Sequence, residues 1–297
     1  MTFGVSTRNY FDRSNSAMAG LTQQAERLQT QISTGRKLQA PSDDSVGYQR
    51  LQVLKRTGAD EVAYGDNIKI AQATLQQADT QLDTIATQIQ QATERALRGA
   101  NDTLSANDRK SLATELKSIL ETIVSATNVK DARGQSLFGG QAEEAAATLQ
   151  PDGSLVFATG KQTAIPIGDG QSVDPSVAAG EVLKIDQGRD IGQVLTALIA
   201  SLETGASPTG TDRDDLAKIA EQVTQAQTSV GARAVRVDLQ AAYYTEAATQ
   251  REDTRSAIED VDATKAITEL QKTMTILQAT QASFSKLSQL SLFDYLR

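Results

Sequence analysis

Residues 68–96 read IKIAQATLQQADTQLDTIATQIQQATERA, and their spacing decides the fold. Ile68, Leu75, Leu82, Ile89 and Ala96 recur every seventh residue, as do Ala71, Ala78, Ile85 and Ala92. Merged, the two sets alternate gaps of three and four, the pattern of a helix that buries one seam against another helix. Gln, Asp, Glu and Thr fill most other positions. Residues 61–98 contain no proline, so the spacing predicts an unbroken rod of roughly 57 Å at ~1.5 Å per residue.

Working outward, a second seam has Val223, Val230, Val237 and Tyr244 seven apart, with Leu216, Ala220, Ala234, Ala241 and Ala248 completing the stripe. A third helix is expected near 108–129, with Leu112, Leu116, Ile119 and Ile123 on one face and Asn107 or Asp108 as its cap. Alanine at many seam positions predicts close helix spacing. Between these helices glycine and proline become frequent. Thr148-Leu-Gln-Pro-Asp-Gly-Ser-Leu155 reads as strand, tight turn and strand, and Ile165, Ile167 and Val182–Ile185 suggest further short strands. Gly205–Thr211 is expected to be a loop, with Asp212 ahead of the next helix. Two terminal stripes remain: Leu21, Ala25, Leu28 and Ile32 near the start, and Ile267, Leu270, Met274, Leu277 and Phe284 near the end. They can be completed by pairing with each other or by a second copy of the chain. The last residues, Leu290 to Leu296, are apolar for a chain end and suggest a partner.

Composition limits the chemistry. The 297 residues include no Cys, His or Trp, with 29 basic against 37 acidic side chains and a net charge of −8. A thiol nucleophile, a histidine base and a Cys/His zinc site are therefore excluded. The acidic balance disfavours nucleic acid as a partner. No apolar run is long enough to span a bilayer, so no membrane insertion is expected. The first twenty residues lack the basic and apolar regions of a cleaved signal peptide. Three acidic clusters, Pro41–Ser45, Asp212–Asp215 and Glu259–Asp262, invite a metal or acid–base reading. The first two sit at probable helix starts, where Ser42, Asp43 and their counterparts are expected to cap backbone N–H groups. Gly168-Asp-Gly170 and the surroundings of Gly99 do not form a phosphate loop. Tyr244 is read as a seam residue rather than a catalytic phenol. The residues predict no catalytic site, cofactor or metal, and a non-enzymatic, mainly α protein: a long coiled-coil-like bundle formed by the N- and C-terminal regions, carrying a small strand-rich insert.

Three segments carry a resemblance. Gln31-Ile-Ser-Thr-Gly-Arg-Lys-Leu-Gln-Ala-Pro-Ser-Asp-Asp-Ser-Val-Gly47 resembles the N-terminal signature of the bacterial flagellin and hook-associated family. Ser229-Val-Gly-Ala-Arg233 and Ser256-Ala-Ile-Glu-Asp-Val-Asp262 resemble elements of its C-terminal region. The Pro-Ser-Asp-Asp form and the ending Phe284–Leu296 are similar to members at the hook–filament junction, whereas filament flagellins typically carry Ala-Asn-Gln where this chain has Ala279-Thr-Gln. The resemblance implies a structural axial component that joins a hook-associated ring to the filament. The implied partners are copies of itself, the preceding hook-associated protein, flagellin and a cytoplasmic export chaperone. It also implies an extracellular location in the flagellum, reached through type III export without a cleaved signal peptide. A filament-forming flagellin is the alternative within the family. A surface polysaccharide-binding protein using the insert is the alternative outside it.

On this reading residues 1–45 with 255–297 form terminal assembly helices, 46–133 with 206–254 a central bundle, and 134–205 an outer β-rich domain. The expected assembly interface is Leu21, Leu28, Ile32, Ile267, Leu270, Met274, Leu277, Phe284, Leu292, Phe293 and Leu296.

Overall fold

A computed structural model of the chain describes residues 3–139, 145–160, 162–185 and 188–295; for residues 3–8 and 287–295 only the backbone is described. The order of elements is α1 (Phe3–Thr34), α2 (Ser45–Gly99), α3 (Ala106–Thr127), β1 (Ala147–Leu149), β2 (Leu155–Phe157), β3 (Ile165–Gly168), β4 (Gln171–Val173), α4 (Ala179–Leu183), α5 (Ile191–Glu203), α6 (Gly210–Glu259) and α7 (Ala263–Tyr295). The fold is mainly helical, with a long first and last helix and a small strand-bearing insert. It divides into two compact units: a central unit of residues 60–246, and a terminal unit of residues 1–59 and 247–297.

The central unit is built on the seam of α2. All nine predicted seam residues, Ile68 through Ala96, are buried with at most 2% exposure. Leu216, Ile219, Val223, Val230 and Val237 of α6 and Leu112, Leu116, Ile119 and Ile123 of α3 are buried in the same core. Ser105, not Asn107 or Asp108, is the cap of α3: its hydroxyl accepts the Asp108 N–H at 3.2 Å and donates to the Asp108 carboxylate at 2.7 Å.

The insert contains two antiparallel hairpins. In the first, Ala147 faces Phe157 and Leu149 faces Leu155, as the Pro-Asp-Gly turn predicted. Gly153 there has φ +84, and a Cβ on it would collide with Thr196 of α5, so turn geometry and packing both require glycine. The second hairpin pairs β3 with β4 across a bulge between Pro166 and Gly168. Two expectations fail here. Val182–Ile185 is not a strand, since Val182 and Leu183 lie in the short helix α4. Residues 191–203, read only as part of the strand-rich insert, form the helix α5, opened by a capping box in which Asp190 and Gln193 exchange hydrogen bonds. Val194, Leu195, Leu198 and Leu202 of α5 are completely buried. Its large buried residues, Ile191, Val194, Leu195, Leu198, Ile199 and Leu202, recur at gaps of three and one, so a helical stripe is present in the sequence inside the segment read as strand-rich. Leu137, Phe138, Leu155, Ile167 and Leu183 of the insert belong to the core cluster that holds the α2 seam. Phe138 and Phe157, the aromatics available for a sugar-binding cleft, are respectively buried in and packed against that core.

Candidate assembly interface

The terminal unit is where the expected interface lies, and its geometry starts from one loop. α1 ends at Thr34, and Gly35 adopts φ +71, the left-handed conformation that turns the chain out of a helix. The next residues meet the turn between α6 and α7. Arg36 and Asp260 form an antiparallel bridge: the Lys37 N–H donates to the Glu259 carbonyl at 2.8 Å and the Val261 N–H to the Gly35 carbonyl at 2.9 Å. Lys37 Nζ donates to the Ala257 carbonyl at 2.8 Å, and Gln31 reaches back to the Lys37 carbonyl at 3.0 Å. At the centre the Glu259 side chain, 3% exposed, takes Arg255 on one oxygen at 2.6 Å and Arg36 on the other at 3.3 Å. Hydrogen bonds to Glu252 and then Glu259 hold the Arg255 guanidinium above its ordinary pKa. This clasp uses residues of both sequence signatures, 31–47 and 256–262.

The first acidic cluster finishes the loop. Asp43 accepts the Gln39 and Ala40 N–H groups, both at 3.0 Å, and faces Arg27 at 3.2 Å. Those backbone bonds, chiefly Gln39, hold its carboxyl below the usual carboxylate range. The cap of α2 is Asp44, which accepts the Val46 and Gly47 N–H groups at 3.0 Å; capping is thus the role of the cluster, but Asp44 rather than Ser42 or Asp43 performs it. In the third cluster Asp260 accepts from the Ser256 hydroxyl at 2.6 Å, and Asp262 caps α7 through the Lys265 N–H at 3.0 Å. The second cluster, in the central unit, lies inside α6 rather than ahead of it and does not cap it: the Thr209 hydroxyl accepts the Asp212 N–H at 3.2 Å. Arg189 donates to Asp212 at 2.8 Å and to Asp215 at 2.7 Å, tying the loop before α5 to the start of α6. Among the described residues no group of three or more acids is arranged to hold a metal ion.

From the clasp outward α1 and α7 pack along one another. On α1 the inward residues are Phe11, Ser14, Met18, Leu21, Ala25, Leu28 and Ile32, with gaps alternating between three and four. On α7 they are Ala266, Leu270, Thr273, Leu277, Thr280 and Phe284, with the same alternation. At the far end the rings of Phe11 and Phe284 meet edge to face at 5.2 Å. Of the two solutions left open by the sequence, the chain adopts the pairing of its own first and last helices.

The expected interface residues separate on this geometry. Leu21, Leu28, Ile32, Leu270, Leu277 and Phe284 lie in the seam between α1 and α7. Ile267 and Met274 do not: they are 44% and 43% exposed, seven residues apart on one flank of α7. Ala266 and Thr273 occupy the seam in their place. Leu292 and Phe293 fall on the backbone of α7, but their side chains, like Leu296 entirely, lie outside the described residues. Ile276, absent from the sequence-based set, is also 43% exposed; its lack of a heptad partner hid it.

The comparisons with known proteins follow the same anatomy. The bacterial flagellin N-terminal helical region matches residues 6–143, and the bacterial flagellin C-terminal helical region matches residues 215–296. The chain belongs to the bacterial flagellin family. It is similar to the flagellar hook-associated protein 3 of Escherichia coli K12, 25% identical over 93% of this chain and 95% of that one. It is 30% identical to the Salmonella typhimurium protein of the same name over 50% of this chain; the matched stretch spans about half of that relative, 47% of its length. A solved structure from Vibrio parahaemolyticus, provisionally assigned as a flagellar hook-associated protein, is 26% identical with a TM-score of 0.67, covering 73% of this chain and all of that one. Across the family match, residues 144–214 fall outside both matched regions; they contain the hairpins, α4 and α5.

Proposed function

We propose that this chain is a structural axial component of the bacterial flagellum that joins the hook-associated ring to the filament by helical self-assembly. The observation that carries the reading is the near-full-length similarity to a hook-associated protein 3, spanning both signature segments and the insert between them. Its partners on this reading are neighbouring copies, the preceding hook-associated protein on one side and flagellin on the other, with an export chaperone before assembly. Its place is extracellular, in the flagellum. No helix among the described residues is long and apolar enough to cross a membrane, which accords with that location.

The mechanism is contact rather than chemistry. A surface that meets a different surface on the next copy extends around an axis without closing. Ile267 and Met274 are suited to such a contact, because they are large, apolar and not used by the α1–α7 seam. Phe284 is less informative, since it is occupied by Phe11 within the chain. Complementation of a strain lacking only its junction protein tests the proposal. The parent gene should restore motility, and Met274→Asp should abolish it while the exported variant keeps the parent's helical content. Failure of the parent gene, together with long fibres formed by the purified chain alone, would assign it to filament building instead. Normal motility with Met274→Asp would remove that flank from the interface.

A further inference from the structure

The seam between α1 and α7 is poorly sealed for its length. Only Ala25, Ala266, Thr273 and Leu277 among its described side chains are buried; Phe11, Leu21, Leu28, Ile32, Leu270 and Phe284 are each half-buried. Two isolated helices with such a seam have little to hold their register, because each must be ordered along its length before the contact stabilises either. One end of the pair, by contrast, is fixed by a dense polar knot. Two backbone hydrogen bonds, the Lys37 ammonium on the Ala257 carbonyl and Arg36 on Glu259 join the loop after α1 to the end of α6 and the turn that leads into α7, while Arg255, one turn earlier in α6, holds the Glu259 carboxylate in place. Glu259 is nearly inaccessible to water, and Arg255, 28% exposed and 2.6 Å away, is its main counter-charge; Arg36, 55% exposed and 3.3 Å away, is the weaker, more screened contact.

We infer that Glu259 is a positioning latch for the terminal helices. By holding Arg36 and Arg255 together it sets the register in which α1 meets α7, and the seam closes from this end toward Phe11 and Phe284. Opening is therefore polar. Breaking the latch releases the whole pair, whereas breaking the far end frees only the far end. The inference stands on the geometry of the terminal unit and is independent of the axial role proposed above.

Hydrogen exchange followed by peptide on the full chain tests it, with the central unit as internal control. In Glu259→Ala, amides across α1 and α7, including those around Phe11 and Phe284, should exchange more than about tenfold faster, while α3 and α5 stay as in the parent. Glu259→Gln keeps the acceptor oxygen and the size, and should give a smaller change with the same distribution. Phe284→Ala should accelerate exchange near residues 8–18 and 280–290 and leave residues 25–34 and 263–272 protected. Acceleration confined to the loop and turn in Glu259→Ala would overturn the latch, because it would show a local contact only. So would acceleration spread evenly over both units, or a Phe284→Ala variant that opens as far as the clasp.

Discussion

The central and terminal units share one design rule, seams with gaps of three and four, and differ in how they fill it. In the central unit the α2 seam carries Ile, Leu and Ala, all at most 2% exposed, and is covered by α3, α5, α6 and the insert. In the terminal unit the same spacing places Ser14, Thr273 and Thr280 on the seam, and most of its large residues are only partly buried. A bundle buries each apolar stripe from several sides, whereas a two-helix pair covers it from one. The terminal pair accordingly relies on polar contacts at one end, while the central unit relies on burial throughout.

The contrast can be broken most strongly inside the central unit. Leu82→Ala removes a fully buried side chain from the middle of the α2 seam and is expected to destabilise that unit by about 3 kcal/mol, read as a lower midpoint in urea. A cost near zero would mean that the seam is no better packed than the terminal one. Next comes Arg189→Met, which leaves Asp212 and Asp215 without their shared cation. The expected loss at pH 7 is about 2 kcal/mol, below that of a fully enclosed pair because Arg189 is itself one-third exposed. This pair also has an acid signature. Hydrogen bonds from Arg189, aided by Lys218, hold the Asp215 carboxyl below its ordinary value. A lowered folded-state pKa means that the unfolded chain binds the proton first. The stabilisation is then complete above about pH 4 and fades as pH falls through the folded value. Arg189→Met should flatten that part of the stability–pH curve, and an unchanged acid limb would count against the pair.

Smaller effects belong to the terminal unit. Leu277→Ala, at the most buried large residue of the α7 seam, should cost about 1–2 kcal/mol and be visible in exchange of α1 and α7 but not of α3. A loss as large as that of Leu82→Ala would erase the distinction between the units. The smallest change is Gly35→Ala. A Cβ there meets nothing within 4 Å, so only the left-handed backbone resists it, worth about 1 kcal/mol. Should thermal melting show a far larger drop, the clasp would be sensitive to small shifts of its loop.

The periodicity of residues 68–96 determined the main helix by itself, because nine apolar side chains at gaps of three and four satisfy only one regular conformation. The Pro-Asp-Gly turn likewise determined the first hairpin, through the dihedrals those residues prefer. The signatures at 31–47 and 256–262 named the family before any geometry was available. Other features needed the tertiary structure. The stripe of α5, Ile191, Val194, Leu195, Leu198, Ile199 and Leu202, is helical in spacing and so legible locally, whereas its packing on α3 and against β2 is decided by the tertiary structure. The roles of Asp212 and Asp215 depend on Arg189, which lies far away in sequence, whereas Asp43 and Asp44 act mainly on backbone N–H groups close by. Most instructive is α7. Bulk alone favours Ile267 and Met274 for its seam, yet Ala266 and Thr273 occupy it. The direction in which a helix faces is fixed by its anchor at the clasp and by the approach of α1, and a long-range constraint of that kind leaves no mark on the helix's own periodicity.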